Sequence, residues 1–161
     1  MDTSFDPQMD PGLFFGEFTK VKVIDPATPA PLMVGNVIIN PALPFTIEVE
    51  WTLKGFFVPL WLAALGGNWV VEAYADCIGP GPEKRIAVLN VPVGPAVQPK
   101  TYSATLTVAA NELPEHDPGP AGPSGIFRLT VSAFLNSTLG APGYDIIGFA
   151  EGVTIRAENP V

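Results

Sequence analysis

The chain has 161 residues, among them 19 prolines, 16 glycines, 8 Lys plus Arg and 16 Asp plus Glu, for a net charge of −8. Proline at this density excludes a helical bundle, because each interior proline costs a helix about 3 kcal/mol, and a hydrophobic share of 47% excludes a disordered Pro-rich tail. The acidic balance, with no Lys/Arg cluster against it, excludes nucleic-acid binding through phosphates and opposes contact with anionic membranes.

What remains is a single all-β domain with many turns. The first residues, MDTSFDPQMDPG, carry Asp2, Asp6 and Asp10 and lack the basic and apolar regions of a secretory signal. The expected location is therefore cytoplasmic, or exported without a conventional signal peptide. Residues 1–16 read as an N-terminal arm that docks through Leu13, Phe14 and Phe15. Glu17–Asp25 alternates Val21 and Val23 with Lys20 and Lys22, which predicts a strand closed by Pro26, Pro29 and Pro31. Asn36–Asn40 predicts a short strand. Phe45–Lys54 gives the clearest one, with Phe45, Ile47, Val49, Trp51 and Leu53 on one face and Thr46, Glu48, Glu50, Thr52 and Lys54 on the other.

Asn68–Ile78 follows, with Trp69, Val71, Ala73, Ala75 and Cys77 inward, then a Gly79–Pro82 turn. Lys84–Val93 predicts an edge strand, because Pro92 lacks a ladder donor, with Ala87, Leu89, Val91 and Val93 toward the core. Thr101–Ala109 turns Tyr102, Ala104, Leu106 and Val108 inward. After a Pro-rich loop over 110–124, Ile126–Leu135 turns Phe127, Leu129, Val131, Ala133 and Leu135 inward. A turn over Asn136–Gly143 leads to Tyr144–Arg156, with Ile147, Phe149, Val153 and Ile155 on one face. About seven main strands separated by turn signals predict a single antiparallel β-sandwich over residues 17–157, with 158–161 a tail; a barrel is the competing architecture.

The strand order, Trp69 early in the third main strand and Gly125-Ile-Phe127-Arg-Leu129-Thr-Val131 in the sixth resemble an immunoglobulin-like or fibronectin type III-like sandwich. The chain departs from that pattern at two points. Cys77 is its single cysteine, so no internal disulfide forms, and Phe127 stands where a corner Tyr is usual. The resemblance implies pairing of the third and sixth strands, which sets Arg128 beside Glu72 or Asp76.

Chemistry-bearing patterns are few. Residues 56–65 (FFVPLWLAAL) form an unbroken apolar run between Gly55 and Gly66, where a sandwich connection is ordinarily polar. It reads either as an exposed docking loop, with Phe56, Phe57, Leu60 and Trp61 as anchors, or as a plug folded over one end of the core; membrane insertion is a third reading that the net charge opposes. Glu112, Glu115, His116 and Asp117 offer metal-ligand chemistry, yet neighbours in one Pro-rich loop seldom converge on an ion. His116 is the one histidine, so a two-His metal site within one chain is excluded, and a His-dependent triad is not expected. Glu151 sits on an apolar face if pairing is regular, and a bulge at Gly152 would send it to solvent. Cys77 reads as a core thiol.

The sequence thus predicts a non-enzymatic binding or assembly module without cofactor or metal. Its partner is a protein or a second copy of itself, contacted through the apolar 55–67 segment (Phe56, Phe57, Leu60, Trp61) and the arm (Phe14, Phe15). The alternative is a small-ligand or carbohydrate binder stacking on Trp61, Trp69 or Tyr144.

Overall fold

A computed structural model describes residues 1–26, 35, 37–138 and 146–159. Alternating apolar residues give strands, in chain order β1 (Asp2–Asp6), β2 (Phe15–Ile24), β3 (Ile38–Ile39), β4 (Phe45–Lys54), then a helix α1 (Val58–Leu65), then β5 (Asn68–Cys77), β6 (Glu83–Pro92), β7 (Lys100–Val108), β8 (Ile126–Asn136) and β9 (Ile147–Ala157). They form two sheets, one ordered β1-β9-β8-β5-β6 with β3 also beside β9, the other β2-β4-β7. Every pairing is antiparallel except that of β3 with β9. The fold is an all-β sandwich.

The inward faces meet where the periodicity places them. Phe45, Ile47, Val49, Trp51 and Leu53 of β4 are buried, as are Trp69, Val71, Ala73 and Ala75 of β5 and the alternate residues of β7 and β8. Trp51 and Trp69, from opposite sheets, meet edge-on at 5.6 Å, and Tyr102 of β7 stacks on Trp51 at 5.2 Å. The Tyr102 hydroxyl donates to Val93 O at 2.8 Å. The Trp51 indole N–H has no acceptor among the described residues, at a desolvation cost of roughly 1–3 kcal/mol that large aromatic burial outweighs.

Several expectations change. There are nine strands among the described residues rather than about seven. The arm supplies one: β1 pairs with β9 from Asp2↔Glu151 to Asp6↔Ile147. The short strand at 36–40 contracts to Ile38–Ile39, and Asn36 lies outside the described residues, as do Pro29, Pro31, Pro142, Gly143 and Tyr144. The expected pairing of β5 with β8 is present and sets Asp76 opposite Arg128. β6 is an edge strand, as Pro92 requires. Its Leu89 lies opposite buried Val71 yet is exposed, because an edge position leaves one flank uncovered.

The face assigned to β9 is corrected by a bulge. Leu129 pairs with Val153 and the next residue, Thr130, pairs with Glu151, so Gly152 is the extra residue. Its φ of +112° is one that glycine alone adopts readily. Beyond it the parity inverts: Ile155 faces the core, Phe149 and Glu151 face solvent, and Gly148 and Ala150 turn inward. Ile147, Phe149, Val153 and Ile155 therefore do not share a face.

Candidate functional site: an apolar ridge at one end of the sandwich

The charge-free run between β4 and β5 is a helix, not an extended loop. Gly55, at φ +123°, turns the chain out of β4. Val58 and Pro59 open the helix, where a proline's missing N–H and fixed φ are no handicap. Leu60 to Leu65 are good helix formers. Gly66 (φ +58°) closes it, donating its N–H to Leu62 O at 3.1 Å.

Helical spacing divides the run into two faces. Val58, Leu62 and Leu65 are buried against the core. Phe56 and Leu60 point away from it, 75% and 62% exposed. Phe57 and Trp61 are half-buried between these faces and stack on one another at 5.6 Å and 12°. The segment is thus a plug on one side and an exposed apolar ridge on the other.

The arm is fastened to the same place. Gly12 O accepts the Phe56 N–H at 3.0 Å and Leu13 O accepts the Phe57 N–H at 2.9 Å. Asp10 shapes the turn: its O accepts from the Leu13 and Phe14 N–H groups, and its Oδ1 from the Gly12 N–H at 2.8 Å. These bonds direct Phe14 inward, where it is 2% exposed and packs on Trp61 at 5.4 Å. Phe14, expected as a partner contact, is a core residue. Phe15, the next residue, is exposed. It borders a groove of about 360 Å³ between β1 and the start of β2, lined also by Met9 and Pro11.

A second anchor holds β1 in place. The Phe5 ring lies over Gly16 of β2 and Gly148 of β9, and a Cβ on either glycine would stand 2.5 or 2.3 Å from it. Phe5 then touches Phe18 at 5.3 Å and joins the core aromatics. No pattern in the sequence marks this socket; two isolated glycines distant in the chain carry no joint signal.

The other candidate groups stand apart. Glu151 is exposed. Glu112 is ion-paired with Lys84 at 2.6 Å, and Glu115, His116 and Asp117 are exposed. Among the described residues no group of three His, Cys, Asp or Glu could hold a metal ion. Cys77 is buried, 3.2 Å from Pro80 O and 3.3 Å from Ser124 Oγ. Trp69 is fully buried and presents no face to a ligand. On the outer face of the larger sheet the Tyr74 hydroxyl and Arg85 Nη1 both donate to Glu72, at 2.6 and 2.7 Å. The Tyr74 bond first, and Arg85 with it, hold the Glu72 carboxyl below its ordinary range.

Among the described residues no helix is long and apolar enough to cross a membrane. No protein-family model matches this chain, and no curated protein matches it.

Proposed function

We propose that this protein is a non-enzymatic binding module, an accessory or assembly subunit whose docking surface is the ridge formed by α1 and the arm. The observation that carries the reading is the division of α1. One face anchors the helix in the core, so the opposite face, with Phe56 and Leu60 exposed and no charge between Gly55 and Gly67, is held rigid in solvent. Rigid aromatic and aliphatic anchors bind at low entropic cost, and an apolar patch of a few hundred Å² on a protein surface is often a functional one.

The scaffold fits an immunoglobulin-like reading. Counting only the seven long strands after β1, the first, second and fifth make one sheet and the fourth, third, sixth and seventh the other, in that spatial order. This is the sandwich arrangement with the fourth strand beside the third. Such scaffolds present binding elements at their ends.

The test is the pair Phe56→Asp and Leu60→Asp. Both side chains are exposed, so melting is unchanged while capture of the partner from the native source is lost. Phe57 and Trp61 make poorer probes, since their mutual stack and the Trp61 contact with Phe14 are part of the packing. Retained capture by both variants would refute this surface.

A further inference from the structure

We infer that the ridge binds a second copy of this chain in a two-fold pair, with Phe56 of each copy entering the groove beside Phe15 of the other. The inference rests on the docking reading above and names its partner. Three observations favour a second copy. First, the surface carries both a projection and a receptor. Phe56 is the most exposed large hydrophobic side chain of the described residues, and the groove between β1 and β2 measures about 360 Å³, whereas a phenyl ring is housed by a cavity of about 150 Å³. The two features are fixed to each other by the Gly12–Phe56 and Leu13–Phe57 backbone bonds. A patch with a projection next to a receptor is complementary to itself under a two-fold rotation, which satisfies both contacts at once and closes the assembly.

Second, the area fits. Phe56 and Leu60 are 75% and 62% exposed, and Met9, Leu13 and Phe15 between 37% and 39%. At about 200 Å² per large side chain this is roughly 500 Å² of apolar surface. A standard interface covers about 800 Å² on each partner, of which about 65% is apolar in homodimers. The ridge supplies that apolar share.

Third, the charges permit approach. The chain is acidic overall, at −8, but the 55–67 segment holds no charge. Of the nearby charged groups, Glu17 and Lys54 neutralise each other at 3.1 Å, while Asp6 and Asp10 of the arm add negative charge at the rim of the groove. Repulsion between two acidic copies is then long-range and screened by salt, so pairing tightens as ionic strength rises. A basic partner would show the opposite trend.

The experiment is sedimentation velocity of the full chain at about 50 and about 500 mM NaCl, with Phe56→Asp, Phe15→Asp and an equimolar mixture of the two. The wild type is expected to dimerise, more tightly at high salt. Each variant alone loses a contact at both ends and weakens the dimer by about 30-fold or more. The mixture recovers dimer, because one Phe56–Phe15 contact of the two survives in the mixed pair. A monomeric wild type at both salts overturns self-association; capture of a different protein that Phe56→Asp abolishes would then leave the docking reading standing. A dimer unaffected by Phe56→Asp, or a mixture with no more dimer than its components, overturns the exchange of Phe56 into the groove. Phe56→Ser, which adds no charge, serves if an aspartate variant melts early.

Discussion

Replacing Gly148 with Ala places a methyl group inside the Phe5 ring. The added Cβ would stand 2.3 Å from Cζ and 2.5 Å from the two Cε atoms, more than 1 Å inside ordinary contact, so the ring must leave its socket. Gly148 does not sit at positive φ, and the penalty is therefore steric and local. Expelling a buried phenyl forfeits about 2–3 kcal/mol of transfer free energy. Phe5→Ala empties the socket directly, at about 3 kcal/mol, the low end for a phenylalanine truncation, because β1 is an edge strand. The double variant costs no more than Phe5→Ala alone, since the new methyl occupies space the ring has left. The two changes are thus coupled by about 2 kcal/mol. Urea unfolding followed by the fluorescence of buried Trp51 and Trp69 reads this directly; with an m-value of about 2 kcal/mol/M, each single variant shifts the midpoint by roughly 1–1.5 M. Additive losses in the double variant would refute the socket.

Other substitutions test separate parts of the structure. Gly152→Ala puts a Cβ at φ +112° and is expected to lower stability by about 1–2 kcal/mol, measured by the same unfolding curve; an unchanged midpoint would show that the bulge is not held there. Leu62→Asp, on the buried face of α1, is expected to melt the domain in circular dichroism, whereas Leu60→Asp two residues earlier is not. Because Glu72 has a lowered pKa in the fold, its stabilising contribution is full above the ordinary value of 4.5 and drains away as pH falls through the lower folded value. Tyr74→Phe and Glu72→Gln should lower stability in the neutral region, where that contribution is full, and converge on the wild type at low pH, which flattens the acid limb; a Tyr74→Phe profile superimposing on the wild type would remove the hydroxyl from the account. Cys77 should react with a thiol reagent only as fast as the protein unfolds; rapid labelling in native buffer would contradict its burial.

The sandwich was legible because its signal is local. Strict alternation, as in Phe45–Lys54 or Thr101–Val108, fixes both strand and face without reference to any neighbour. Clusters of proline and glycine then mark the ends. The β9 face was misread because the bulge at Gly152 inverts parity halfway along, and a glycine within a strand signals a bulge without saying which half it reverses. β1 escaped notice because Asp2–Asp6 has one inward apolar residue, Phe5, whose partners Gly16 and Gly148 are remote in sequence. The helix was hidden by composition. A run that is apolar all round has no period, so Pro59 at its start and Gly66 at its end were the available signs, and both also fit a loop. The apolar segment is marked by its composition; which side chains it presents depends on the helical rotation, which leaves Phe56 and Leu60 as its summit, whereas Phe14 turns inward through the Asp10 turn, whose backbone bonds have no signature in the sequence.

The pairing of β1 with β9 also orders events in time. Asp2 and Glu151 are neighbours in the sheet but stand at opposite ends of the sequence, so during synthesis the first strand has no partner until the last has emerged. By then β2 to β9 can already be assembled, and docking β1 requires closure of the short Pro7–Phe14 connection alone, an inexpensive loop. Without β1, the Ile147–Glu151 stretch of the β9 edge would present unpaired backbone to any extended segment, whereas β3 already covers its Arg156–Ala157 end; the acidic Asp2 and Asp6 make β1 itself a poor template for such pairing.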